Sequence, residues 1–173
     1  MTNFKENLAN VKAFVFDIDG VLSLQTISLS TFGYPNRTVN LRDGYALQLA
    51  VRKGYHIAVI TGCSSKEYQK RLKYLGINAI YLNSKSKIDD FEHFLKKHNL
   101  NRENVLFMGD DIPDYHVMKA AGVPVCPADA DSEIRKVASY ISDKRGGEGC
   151  VRDVIEQVLR LHNNWMNGDS FSW

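Results

Sequence analysis

The stretch Lys12–Ser23, KAFVFDIDGVLS, decides how the rest of the chain is read: an apolar run ends in two aspartates one residue apart, followed at once by a glycine. Val11, Ala13, Phe14, Val15 and Phe16 are apolar without alternation, the pattern of a strand buried on both faces of a parallel sheet. An unpaired carboxylate is costly inside such a layer. Asp17 and Asp19 are therefore placed at the exposed carboxyl end of the strand, where open α/β sheets keep their ligands.

Outward from this strand, similar runs recur at Tyr55–Ile60 (YHIAVI), Ala79–Leu82 (AIYL), Asn104–Gly109 (NVLFMG) and Val123–Cys126 (VPVC). Helical spacing separates and follows them: Tyr68, Leu72 and Leu75; Ile88, Phe91, Phe94 and Leu95; Val154, Ile155, Val158 and Leu159. Gly54, Gly76 and Gly122 stand where helices should stop, each just before a strand. This alternation predicts an α/β fold, a Rossmann-like parallel sheet with helices on both faces. At 173 residues, one domain spanning 1–173 is expected. Between Ser23 and Leu41 the rhythm changes: short alternating segments, Thr26–Ser30 and Thr38–Leu41, flank the turn-forming GYPN. They predict a β-hairpin inserted after the first strand, which needs something to pack on, such as another subunit. The last residues, about 163–173, read as a loose tail.

Composition excludes several classes. Hydrophobic residues make up 44% and charged residues 24%, and a net charge of +2 gives no case for nucleic acid. The N-terminus is polar, without a signal-peptide core, and no run approaches the ~18 apolar residues of a membrane span, so a cytoplasmic protein is expected. Cys63, Cys126 and Cys150 suit neither a disulfide framework nor a CxxC zinc site. The five histidines show no paired metal spacing and read as structural or surface residues.

The remaining strand ends complete a chemical pattern. ITG puts Thr61, with Gly62 beside it, where a hydroxyl and backbone N–H groups can bind an anion. GDDIPD brings Asp110, Asp111 and Asp114 to the same edge, and NSKSKIDD opens a helix with Lys85 and Lys87 near its start. Such oxygen ligands suit Mg²⁺, which takes a few carboxylates together with water and phosphate oxygens. A metal and a lysine lower the repulsion between a carboxylate and a phosphoryl group, so Asp17 is a candidate nucleophile passing through an aspartyl-phosphate.

DIDGV, ITG, the lysine of SKSK and GDDIPD, in this order, resemble the four motifs of the haloacid dehalogenase superfamily, from Val11 to Cys126. The resemblance implies Asp17 as nucleophile, Asp19 as general acid/base, Thr61 as phosphoryl hydrogen-bond donor and Lys87 as the cation holding both charges. It implies Mg²⁺ bound by Asp17, the Asp19 carbonyl and Asp110, with Gly62, Asp111 and Asp114 in support. No room exists for a large cap domain, and NLRDGYALQLA and KRGGEGCVRDV resemble the cap-less branch acting on a phosphorylated eight-carbon 2-keto sugar acid of lipopolysaccharide synthesis. In that branch the hairpin assembles a homotetramer and a neighbouring subunit helps close each site. Arg42, Lys144 and Arg145 are candidates for binding the sugar acid, since arginine pairs with carboxylates through two bonds. Leu24, Gln25 and Cys63 depart from the branch's usual residues near the mouth of the site.

Other readings remain open at this stage. Asp-x-Asp-Gly alone is a common turn or helix cap, RGGEG also reads as a loop capping the last helix, Lys85 competes with Lys87, and Arg42 can simply pair with a surface acid. A sister branch acting on a nine-carbon acid shares KRGGEG. A phospho-receiver switch uses a similar Asp, Thr and Lys but has no need of Asp19, and an inactive oligomeric binding module has no need of the whole set.

Overall fold

The computed structural model describes residues 4–172. Its strands are β1 (Ala13–Phe16), β2 (His56–Ile60), β3 (Ala79–Tyr81), β4 (Val105–Met108), β5 (Val123–Cys126) and β6 (Tyr140–Ile141). They form one sheet in the order β3-β2-β1-β4-β5-β6, every pair parallel. The helices are α1 (Phe4–Leu8), α2 (Leu41–Arg52), α3 (Lys66–Tyr74), α4 (Lys87–His98), α5 (Tyr115–Ala120), α6 (Ser132–Val137) and α7 (Cys150–Leu161).

β1 is central, and all four of its residues are buried. Phe14 and Phe16 point into one core with Ile57, Val59, Leu106 and Met108 of the neighbouring strands, covered by α1, α2, α3 and α7. Ala13 and Val15 point into the other, with Ala58, Val105 and Phe107, under α4, α5 and α6. Burial on both faces is the reason the strand carries no polar alternation. The strand order reverses between β1 and β4, so their carboxyl ends splay apart and open the crevice in which doubly wound sheets bind ligands. Asp17 follows β1 directly and Asp110 lies just beyond β4.

All five expected strands are present, and β6 is an addition that two residues in a polar setting do not announce. The inserted hairpin is narrower than expected. Leu29 and Pro35 form its one bridge, with Ser30 N–H donating to Tyr34 O (2.8 Å) and Asn36 N–H to Ser28 O (2.9 Å). The Thr38–Leu41 segment does not pair with Thr26–Ser30: Thr38 N–H donates instead to Ser23 Oγ at 2.9 Å, because the buried Ser23 offers a fixed polar partner at the insertion's base. The tail is likewise not loose as far as Ser172. Trp165 is buried edge-on against Tyr45 with the Arg152 guanidinium over its ring, and Gly168–Phe171 forms a 3₁₀ turn. An amphipathic tryptophan is too large an apolar surface to leave in water.

α2 and α7 are joined by a buried acid. Asp43, in the first turn of α2, accepts a hydrogen bond from Arg152 N–H near the start of α7 at 2.7 Å, while its Oδ2 has no partner among the described residues. Burial pushes its pKa up to about 6 even though the N–H groups of Arg152 and Gly149 favour the charged form. A carboxyl raised in the folded state adds stability that is whole below its unfolded pKa of about 4 and is lost as pH rises through the folded value. Asp43→Asn keeps the acceptor and removes the charge. In urea denaturation between pH 5 and pH 8, wild type should lose roughly 1 kcal/mol relative to this variant. A difference that does not change with pH would mean that the native form of Asp43 is ionised.

Candidate active site

The site is held together by one ammonium. Lys87, the first residue of α4, donates to Asp17 Oδ2 at 2.6 Å and to Asp114 Oδ1 at 2.7 Å. All three residues are buried. A cation at a helix N-terminus faces the positive end of the helix dipole, so its position here depends on the two carboxylates. Burial disfavours the charged ammonium, but Asp17 and Asp114 outweigh it and raise its pKa. Lys87 is therefore the lysine that engages Asp17, while Lys85 stands exposed on the wall of the same cleft.

Asp17 is oriented from both sides: Oδ1 accepts from Ile18 N–H at 2.6 Å and Oδ2 from Lys87. Asp114 serves the loop, since its Oδ2 accepts from Asp110 N–H (3.1 Å) and Asp111 N–H (3.4 Å). Asp111 turns outward, exposed, and caps the short 3₁₀ turn Ile112–Asp114 by accepting from Ile112 N–H at 2.8 Å. Asp17, Asp110 and Asp114 each offer a carboxylate oxygen within 4.8 Å of the others. Desolvation, with the neighbouring carboxylates, pushes Asp110 up to about 8, and desolvation and Asp114 push Asp17 up to about 6. Even with Lys87 in place the cluster has more negative charge than it can hold ionised, which fits a divalent cation. Asp17 and Asp110, at the ends of β1 and β4, fit Mg²⁺ as carboxylate ligands, and Asp114 stands beside them with its oxygens on Lys87 and on the N–H groups of its own loop.

Glycine permits this density. Gly20 has φ +77°, and a Cβ there would lie 1.9 Å from Asp110 Oδ2. Gly146 of the KRGGEG segment packs on the Gly20 carbonyl so closely that its own Cβ would stand 1.9 Å from that oxygen. The segment continues with Gly147 N–H donating to Val21 O at 2.8 Å and ends at Gly149, the N-cap of α7. It thus braces the aspartate turn through backbone contacts.

Thr61 is buried at the end of β2. Its Oγ1 accepts from Cys63 N–H at 3.2 Å, which leaves the hydroxyl proton to donate into the cleft, and Gly62 lines the same wall. Asp19 projects half-buried into the cleft and is gripped by Arg37 of the insertion. The cleft, about 640 Å³, also meets His116 at its rim and Gln25, whose amide reaches Asp110 Oδ2 at 3.5 Å. The sequence reading gave Arg37 no role, placed Gln25 near the mouth of the site and took His116 for a structural or surface residue. Their approach is tertiary, and only GDDIPDYH places His116 near a motif.

The three candidate sugar-acid contacts are not in this cleft. Arg42 and Lys144 line a separate cleft of about 910 Å³ between the start of α2 and α7, and exposed Arg145 points to Asp129 at 3.4 Å. The turn that carries Lys144 and Arg145 is anchored by its glycines, so both side chains are directed outward.

Residues 74–154 match the family model described as haloacid dehalogenase-like hydrolase. A 3-deoxy-D-manno-octulosonate 8-phosphate phosphatase of Escherichia coli K12 is 35% identical over 150 residues, 87% of this chain and 80% of that protein. The crystal structure of the phosphatase of that name from Yersinia pestis superposes with a TM-score of 0.90 at 29% identity, covering 94% of this chain and 88% of that one. The Moraxella catarrhalis structure, solved with magnesium, phosphate and KDO, gives 0.89 at 32% identity, with 95% and 94% covered. With a nucleophile-like aspartate, a lysine and a second carboxylate at the switch point of this sheet, the chain belongs to the haloacid dehalogenase-like hydrolases, in the family of the 3-deoxy-D-manno-octulosonate 8-phosphate phosphatases.

Proposed function

We propose that the protein is a magnesium-dependent phosphomonoesterase that hydrolyses 3-deoxy-D-manno-octulosonate 8-phosphate through an aspartyl-phosphate on Asp17. The observation that carries the chemistry is the convergence of Asp17, Lys87, Thr61 and Asp110 on one solvent-open cleft at the switch point. The relatives support the substrate.

In this reading an Asp17 oxygen attacks phosphorus and the bond to the sugar oxygen breaks. Asp19 gives that oxygen its proton, then takes one from the water that attacks the phosphoenzyme, which releases inorganic phosphate and restores Asp17. Lys87 offsets charge on Asp17 and the phosphoryl group, and Thr61 donates to a non-bridging oxygen. Asp17, Asp110 and the Asp19 carbonyl would hold magnesium, which when bound would supply further charge neutralisation at the phosphoryl group. Gly62, Asp111 and Asp114 support these groups.

We further infer a single-domain subunit in a cytoplasmic homotetramer serving lipopolysaccharide sugar synthesis. Among the described residues no helix is long and apolar enough to cross a membrane. The hairpin tip exposes Leu29, Phe32 and Tyr34 at 66%, 85% and 72%, an apolar surface suited to a neighbouring subunit. Arg42, Lys144 and Arg145 lie outside their own chain's catalytic cleft, so a substrate contact by any of them crosses a subunit boundary.

Three outcomes are expected. Asp17→Asn abolishes turnover with the circular dichroism spectrum unchanged, whereas Asp19→Asn leaves a phosphoenzyme that decays slowly in acid-quench labelling; a long-lived phosphoprotein in wild type would instead favour a switch. Second, kcat/KM for the eight-carbon acid phosphate should exceed that for the nine-carbon 9-phosphate and for a simple aldose phosphate by at least ~10-fold. Equal, low values would remove the substrate assignment and leave the phosphoryl chemistry. Third, Mg²⁺ must displace the proton that Asp110 retains below about pH 8. Calorimetry should therefore show Mg²⁺ affinity rising about tenfold per pH unit from 6.5 to 7.5, with proton release, and flattening above 8.

A further inference from the structure

The insertion between β1 and α2 reaches Asp19 through the side chain of Arg37. Arg37 Nε donates to Asp19 Oδ1 at 2.7 Å and its Nη2 to Asp19 Oδ2 at 2.8 Å, a two-bond fork that engages both oxygens. The Arg37 side chain is only 12% exposed, against 43% for Asp19. Its position is built by the next residue. Thr38 N–H donates to Ser23 Oγ (2.9 Å), Thr38 Oγ1 accepts from Leu24 N–H (3.0 Å), and Thr38 O accepts from the Tyr68 hydroxyl (3.3 Å). The same hydroxyl donates to Leu22 O at 3.0 Å, so the base of the insertion is pinned beside the aspartate turn.

A carboxylate gripped at both oxygens by a guanidinium has no free oxygen to exchange a proton with a leaving group. Asp19 is therefore restrained while Arg37 holds it. Resting on the sugar-acid phosphatase reading above, we propose that Arg37 is a specificity-determining latch: it holds Asp19 in the empty site and transfers to the carboxylate of a bound sugar-acid phosphate, freeing Asp19. A substrate without a carboxylate gives the guanidinium no competing fork acceptor, and Asp19 stays tied. Selection then acts on the proton-transfer step as well as on binding. Other cations near the cleft, such as Lys85, have no such bond to Asp19 and cannot couple recognition to its release.

The test compares wild type, Arg37→Gln and Arg37→Lys on 3-deoxy-D-manno-octulosonate 8-phosphate and on arabinose 5-phosphate, a sugar phosphate with an alkyl leaving group and no carboxylate. In Arg37→Gln, KM for the sugar-acid phosphate should rise about tenfold or more. Its kcat for arabinose 5-phosphate should rise, so the ratio of the two kcat/KM values collapses. Arg37→Lys, which keeps the charge but loses the fork, should recover part of that ratio. A ratio unchanged in both variants, with activity on the two substrates falling together, would mean that Arg37 only braces Asp19 or the loop and would overturn the latch while leaving the phosphatase reading intact. Wild type that hydrolyses neither substrate would overturn both.

Discussion

The ammonium of Lys87 is the interaction on which the site depends. Three buried carboxylates, Asp17, Asp110 and Asp114, crowd within 4.8 Å, and like charges so close and so dry do not remain ionised together without a cation. Lys87 bonds two of them and so makes the cluster compatible with folding. It also fixes the relation between three parts of the chain, since Asp17 ends β1, Asp114 closes the loop after β4 and Lys87 begins α4. Its single charge does not suffice: the Asp110 carboxyl still sits near 8 and that of Asp17 near 6, both raised first by desolvation. The remaining imbalance is what a divalent metal and a phosphoryl group, arriving together, are suited to relieve.

Charge alone does not bring these groups so close. The aspartate turn approaches Asp110 through Gly20, and Gly146 and Gly147 close over the turn from behind, with backbone where side chains would collide. That bracing segment runs into α7, whose first turn meets Asp43 of α2. The glycines of KRGGEG thus connect the aspartate turn to the helix pair on one face of the sheet. The reading of this segment as a loop capping the last helix holds at Gly149, and its glycines also brace the aspartate turn.

What was legible in the sequence was whatever depended on local pattern. β1, β2, β4 and β5 are apolar runs because each is covered on both faces, and the four motif groups stand at strand or helix ends because the backbone there is exposed to ligand. Features set by tertiary docking were not legible. β6 is two residues long and exists because Val125 and Cys126 offer an edge to pair with. Arg37 lies 18 positions from Asp19, and nothing in its neighbours marks it until Thr38 is seen tied to Ser23 and Leu24. Arg42, Lys144 and Arg145 carry the charge expected of carboxylate ligands, yet charge does not say which cleft a side chain enters.

The insertion therefore has two ends under different physical demands. Its tip, with Phe32 85% exposed, presents apolar surface that no element among the described residues covers, while its base is held by hydrogen bonds and ends in the fork on Asp19. Among the described residues, the insertion brings Gln25 to Asp110 and Arg37 to Asp19 from outside the sheet. In the proposed mechanism Asp17, Thr61 and Lys87 are spent on phosphate and fixed at the ends of the sheet and of α4. Discrimination must then come from residues that are mobile relative to the sheet yet connected to the chemistry. Under the proposed mechanism Arg37 meets both conditions: its guanidinium sits on a long side chain, and it bonds both oxygens of Asp19, the proposed acid/base.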